Sequence, residues 1–261
     1  GCPMKLYFAS AEVIHDFSLI KSILPPPHRM LFSVYSLGYH KTLPNQTSHD
    51  DWLIDSGGFS ALKAGFDIDV GDYIGFLNRN SVKVAFNLDL PSHTQTLANQ
   101  RRLEAETQAY ILPIYHLSDF YQRREWVDDL IRDYVYIALG GTAFAGVKRA
   151  DKKALFDYTF HKTRDKIRVH GLGVNNVNLM TQYPFYSVDS TAWVNARKYG
   201  KRFQADGVGY TIQDSQDAHL DSFPQKIGHY SVGCANALKV LHQTEANITR
   251  LWQKRGVVWR D

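Results

Sequence analysis

The sequence predicts a (β/α)8 barrel. Eight short runs rich in β-branched and aromatic residues punctuate a chain of 261 residues. Several runs are apolar at successive positions, as strands covered on both faces are. Helical patterns fall between most of the runs, and strand–helix alternation builds a parallel sheet that is either closed or doubly wound. The length suits one barrel, and a doubly wound open sheet is the alternative. We expect a single domain from Met4 to Asp261, with a C-terminal amphipathic helix.

The runs are Lys5–Ala9, Leu31–Tyr35, Trp52–Ile54, Val82–Leu88, Ile111–Tyr115, Tyr134–Leu139, Ile167–Leu172 and Phe185–Val188. Helices are expected at Glu12–Ile23, Val70–Arg79, Thr94–Tyr110, Asp119–Arg132, Lys152–Thr163, Asn175–Met180 and about Val232 to Lys254. Ser92 and Ser118 are the expected caps of the third and fourth. The third has only a weak stripe of Ala98, Ala105 and Ala109, so it rests on helix-forming composition. The fourth has Phe120, Trp126, Leu130 and Ile131 at helical spacing. The polar stretch Gly38–Asp51 reads as a long loop.

Composition narrows the class. Hydrophobic residues make up 44% and charged residues 21%, which is ordinary for a globular chain and excludes low-complexity and collagen-like sequences. A chain this long buries about three quarters of its unfolded surface, so its core needs neither disulfide nor metal. No apolar window is long enough to span a membrane, and no signal pattern opens the chain. Gly1-Cys2-Pro3 before Met4 looks like an added leader. Setting it aside leaves Cys234 as the single cysteine, which points to a reducing, cytoplasmic home. Thirty basic and 26 acidic residues give a net charge of +4, which permits a polyanionic partner without requiring one.

Chemistry in a barrel gathers at the C-terminal ends of the strands. Asp55-Ser56-Gly57-Gly58-Phe59 follows the third run, and Asp89-Leu90-Pro91 follows the fourth. His116 follows the fifth, Gly140-Gly141-Thr142 the sixth, and Asp189-Ser190-Thr191 the eighth. His170 and Gly171 lie just inside the end of the seventh. Any one of these aspartates serves equally well as a helix N-cap. Three on one rim beside paired glycines point to a site. No GxGxxG or GxxxxGK[ST] motif follows a strand, and Ser56 is not in a GxSxG elbow.

This ordered set resembles the guanine transglycosylases of the queuine and archaeosine type. Asp55–Phe59 is similar to their DSGGF/Y signature. FNLDLP (86–91), IALGGT (137–142), GLGV (171–174) and YSVDSTAWVNAR (186–197) resemble successive strand ends of the same family, from Lys5 to about Arg202. The resemblance implies a (β/α)8 enzyme that exchanges guanine in nucleic acid for a 7-deazaguanine base. It makes Asp189 the nucleophile and Asp55 the general acid/base. Asp89 would read the guanine edge, with Ser56, His116, Gly140, Gly141, Thr142 and Gly171 around the base. Phe59 and His170 would stack on its two faces. The chemistry needs such groups. A carboxylate captures the cationic sugar carbon, a second displacement restores its configuration, and one carboxyl gives and then takes a proton. The target base must leave its stack.

The sequence departs from the tRNA enzymes of the family. Those carry a zinc subdomain after the nucleophile, whereas the stretch from Lys198 to Tyr230 has no cysteine. His229, Cys234 and His242 match no common zinc spacing, so no metal and no cofactor are expected. His116 stands where those enzymes carry Gln, and Ser60 likewise. The departures resemble the phage and bacterial branch that places 7-deazaguanines in DNA. The expected partners are therefore DNA, with tRNA as the alternative, and the free 7-deazaguanine base. The compartment would be the host cytoplasm if the chain is phage-encoded.

Arg197, Lys198, Lys201 and Arg202, interleaved with Tyr199 and Phe203, are the expected backbone contacts. The pairs Lys148-Arg149, Lys152-Lys153, Arg101-Arg102 and Arg123-Arg124 read as solvated charge remote from the rim. Trp252 and Trp259 read as packing residues. Two readings of other kinds stay open: a silent nucleic-acid-binding relative, and a barrel glycosidase using Asp55 and Asp189.

Overall fold

The computed structural model describes residues 1–10, 14–164, 166–198, 201–214 and 227–260. In chain order its elements are β1 (Lys5–Ala9), α1 (Ile14–Ile23), β2 (His28–Ser33), α2 (Val34–Leu37), β3 (Asp50–Asp55), α3 (Gly58–Lys63), α4 (Val70–Arg79), β4 (Val84–Phe86) and α5 (His93–Glu106). There follow β5 (Tyr110–Leu112), β6 (Ile114–His116), α6 (Leu117–Gln122), α7 (Trp126–Asp133), β7 (Tyr136–Gly140), α8 (Arg149–Thr163), β8 (Arg168–Gly171) and α9 (Val177–Gln182). The last are β9 (Ser187–Ser190), α10 (Ala192–Lys198), β10 (Lys201–Asp206), β11 (Gly209–Asp214) and α11 (Ile227–Lys254).

The first nine strands pair in the order β5-β4-β3-β2-β1-β9-β8-β7-β6, and every ladder is parallel. The two ends of that order, β5 and β6, are one strand interrupted by Pro113. A proline cannot donate to a ladder, yet its carbonyl still accepts from the Ala138 amide at 2.9 Å. The sheet therefore closes into the eight-stranded barrel that the sequence predicts.

Side chains meeting inside the lower barrel are polar and satisfy one another. Tyr7 donates its hydroxyl to Asp51 at 2.8 Å, and Lys5 and Arg29 lie 3.1 and 3.6 Å from the same carboxylate. Helix α11 packs against α1, α9, α10 and β1, and so fills the helical position that follows β9. Its Glu245 accepts from the Leu6 amide at 2.7 Å and from Arg29 at 2.8 Å. Its Thr249 accepts from the Met4 amide at 3.1 Å. No helix among the described residues is long and apolar enough to cross a membrane.

Several boundaries differ from the sequence expectation. The second strand is His28–Ser33, and Val34–Leu37 is already helical. The helix expected over Asp119–Arg132 is two helices, α6 and α7, broken at 123–125. Its cap is His116, not Ser118, because the Asp119 side chain bonds back to the His116 amide. Ser92 does cap α5, accepting from the Gln95 amide. The β10–β11 hairpin was not expected. It seats Phe203 in the core, with the Phe203 amide bonded to Asn236 of α11. Cys2 pairs with Trp259 through its amide at 2.9 Å, which ties the residues before β1 to the C-terminal end. Cys234 is buried, and His229 lies outside the residues whose side chains are described. Trp252 and Trp259 are packing residues, and the Trp252 indole donates to the Met180 carbonyl at 2.8 Å.

Candidate active site

Asp55 ends β3, Asp89 lies three residues beyond β4, and Asp189 is the third residue of β9. Parallel strands put all three at the same mouth of the barrel. Asp55 and Asp189 are three strands apart through β2 and β1.

Asp189 is almost fully buried, at 8% exposure. Its Oδ1 accepts from the Gly173 amide at 2.8 Å and meets His170 Nε2 at 3.1 Å. An ionised carboxylate only accepts, so His170 carries its proton on Nε2. His170 Nδ1 then accepts from the Ser187 hydroxyl at 2.6 Å. Ser187 in turn accepts from the Tyr136 hydroxyl at 2.5 Å. This chain from β7 to β8 to β9 fixes the orientation of Asp189. It leaves Oδ2 without a hydrogen bond among the described residues. His170 is fully buried, beside Phe86 at 5.0 Å between ring centroids. Its ring lies beneath the carboxylate, not on the rim where a base would stack.

Asp55 sits beside two tyrosine hydroxyls. Burial, then the negative charge of Asp55, pushes the Tyr39 and Tyr73 phenols well above their ordinary value. Ser56 is fully buried, and its hydroxyl accepts from the Gly58 amide at 3.1 Å. That commits it to the turn into α3. Phe59 beyond it is half exposed and stacks on Phe144, with centroids 4.2 Å apart and planes inclined by 21°.

Between β4 and β6 lies a pocket of about 320 Å³ whose walls include Phe59, Asp89, His116, Arg123 and Phe144. That volume is at the small end of ligand pockets. Asp89 Oδ2 is hydrogen-bonded to His116 Nε2. Burial pulls the His116 imidazole down, but the Asp89 carboxylate, joined by Asp119, more than offsets it and leaves the ring above its ordinary 6.5. The His116 ring thus holds one oxygen of Asp89.

The raised folded-state value gives a pH dependence with a definite sign. The imidazolium stabilises the fold below the unfolded value, and that contribution is lost as pH rises through the folded one. We expect His116→Gln to lower Tm at about pH 6 and to lower it less at about pH 9. Melting curves for both proteins across that range check it. A deficit that grows with pH overturns it.

The paired glycines serve His116. A Cβ on Gly140 would lie 2.8 Å from His116 Nδ1, and Gly141 has φ of +79°. Thr142 and Gly171 are buried, and a Cβ on Gly171 would press on Val174 and Phe185.

The expected basic track is only partly visible. The side chains of Arg197 and Lys198 and the whole of Tyr199 lie outside the described residues. Lys201 pairs with Asp214 across the hairpin, while Arg202 is exposed. The other basic pairs need correcting in two places as to their distance from the rim, although Arg149 and Lys153 are exposed, as read. Arg123 reaches the pocket and pairs with Asp119. Arg149, Lys152 and Lys153 line a cavity on the rim with Thr142 and Gly173. Arg102 does pair with Glu106 on an exposed helix face, as read. Sequence reasoning also missed Phe144, Asp119 and Tyr136, none of which stands in a motif, and Ser187, which lies inside the segment 186–197 without being singled out.

Comparison with protein-family models and with curated proteins finds no match to this chain.

Proposed function

We propose that the protein is a base-exchange glycosyltransferase that replaces guanine in nucleic acid with a 7-deazaguanine base, with DNA favoured over tRNA. The observation that carries this reading is a buried carboxylate on a barrel rim, oriented through one oxygen while the other has no hydrogen bond among the described residues. A nucleophile needs that arrangement, and a helix cap does not. An aromatic-walled pocket with its own carboxylate opens on the same rim.

In this reading Asp189 Oδ2 attacks C1′ of the flipped nucleotide as the bond from C1′ to N9 breaks. Asp55 donates its proton to the departing guanine. The incoming base then gives its N9 proton to Asp55 and attacks C1′, and Asp189 is released. Two inversions retain the anomeric configuration. Asp89, held on one oxygen by His116, offers the other to the N–H groups of the guanine edge. Phe59 and Phe144 part to take the base between them. The cysteine-free stretch after Asp189 favours DNA over tRNA.

The test is a trap. Guanine-containing single-stranded DNA and, separately, tRNA are incubated with the protein, with and without a 7-deazaguanine base, and run on denaturing gels. We expect a covalent adduct with DNA that disappears when the free base is added. An adduct with tRNA alone transfers the reading to that polymer, and none with either overturns it.

A further inference from the structure

A cavity of about 640 Å³ lies on the same rim, between the loop after β7 and the loop after β8. Arg149, Lys152 and Lys153 line it, with the side-chain amides of Asn175, Asn178 and Gln182, and no carboxylate does. Lys153 pairs with Asp157. Arg149 and Lys152 have no carboxylate within 4 Å among the described residues, and Lys152 is half-buried. These cations also stand in the first turns of α8, whose start carries no side-chain cap. A helix N-terminus favours negative charge; Asp151 in the first turn of α8 is engaged by the Tyr121 hydroxyl, and Arg149 and Lys152 bring positive charge to the cavity beside it.

The cavity joins the candidate site at two points. Gly173 lines it, and the Gly173 amide holds Asp189. The loop after β7 separates it from the base pocket, with Ala143 on the cavity side and Phe144 on the pocket side.

Resting on the reading above, we propose that this cavity is the subsite for the phosphodiester backbone flanking the flipped nucleotide. With the base beside Phe59 and Phe144 and the sugar at Asp189, the neighbouring phosphates extend over Gly173 to Arg149 and Lys152. The geometry assigns this role to α8 ahead of the β10 cations, of which Lys201 is already paired.

The test measures anisotropy of a labelled single-stranded DNA across a salt series. It compares the wild type, Arg149→Ala/Lys152→Ala, and Arg164→Ala/Arg260→Ala. The last removes two cations from a cavity at the opposite end of the barrel. Each lost phosphate contact lowers the slope of log affinity on log salt by roughly 0.7 for single strands. We expect the first variant to lose about 1.4 in slope and about tenfold in affinity at moderate salt, with Tm unchanged. The control variant should match the wild type. Unchanged slope in the first variant, or equal losses in both, overturns the subsite. Displacement of the DNA by inorganic phosphate at constant ionic strength assigns the cavity to free phosphate and also overturns it. The adduct gel is read separately. A wild type that binds DNA with the expected α8 dependence but traps no adduct loses the glycosyl-transfer reading and keeps the subsite. One that traps adduct without that dependence does the reverse.

Discussion

Asp189→Asn should abolish the covalent adduct and lower base exchange by at least about 10⁴-fold, the scale on which enzymes lose rate when their nucleophile is removed. Asparagine keeps the shape of aspartate. Its amide oxygen still accepts from Gly173 and from His170 Nε2, the two donors that hold Oδ1 in the native protein. The variant therefore keeps its fold, and its Tm should stay within a few degrees of the wild type. What it loses is the anionic Oδ2, since a neutral amide neither attacks C1′ nor stabilises positive charge on the sugar. The paired readout separates chemistry from packing. Lost adduct with retained Tm and retained DNA affinity supports a nucleophile. Retained adduct excludes Asp189 from that role. Loss of Tm and affinity together makes it a structural residue of the barrel mouth.

The barrel was legible because its strands are short apolar runs and its helices sit between them. Where sequence and structure part, the reason is local. Helix α5 buries Thr96, Gln100 and Leu103, not an alanine stripe. Gln100 donates to the Ile111 carbonyl, and the Thr96 hydroxyl bonds the backbone of Leu90. A buried face made of hydrogen-bonding side chains has no hydrophobic periodicity to read. Helices α6 and α7 look continuous because apolar Phe120, Trp126 and Leu130 stand on both sides of a break that no glycine or proline marks. The break is set by Arg123, which turns to φ of −150° while its side chain pairs with Asp119.

Positions on the rim were easier to read than roles. The three aspartates declare themselves by standing at strand ends. His170 stands at one too, but only the partners of its two nitrogens put it beneath Asp189. The glycine pair at 140–141 signals a close approach, yet the side chain that approaches is His116. Arg149 and Lys152 read as charge remote from the rim because their place beside it depends on the path of the loop 142–148; Arg149 is exposed, as read. Phe144 on that loop is invisible to motif reading for the same reason.

Glu245→Ala should cost about 3–5 kcal/mol of stability, the range for breaking a buried ion pair by removing one partner. For a chain of this length that corresponds to on the order of 10 °C in Tm. Arg29 is 6% exposed and Glu245 8%. Among the described residues, truncation leaves the buried guanidinium with only Asp51, at 3.6 Å, as a partial partner. It also strips the Leu6 amide of its acceptor where β1 begins, beyond the reach of the ladder to β2, which runs only over Phe8 and Ala9. Glu245→Gln separates the two contributions. Glutamine keeps an acceptor for Leu6 and the shape of the side chain, but not the charge that Arg29 requires. We expect its loss to be smaller than that of alanine and still clear in a thermal melt. Equal melting of both variants and the wild type would mean that the Glu245 contacts contribute nothing to holding α11 on the barrel. Because Glu245 lies at the foot of β1 and the candidate site lies at the opposite mouth, adduct formation below the melting transition should be unchanged in both variants. A variant that loses the adduct while folded would couple the two ends of the barrel through Tyr7, which donates to Asp51 below and lies 6.2 Å from the His170 ring above.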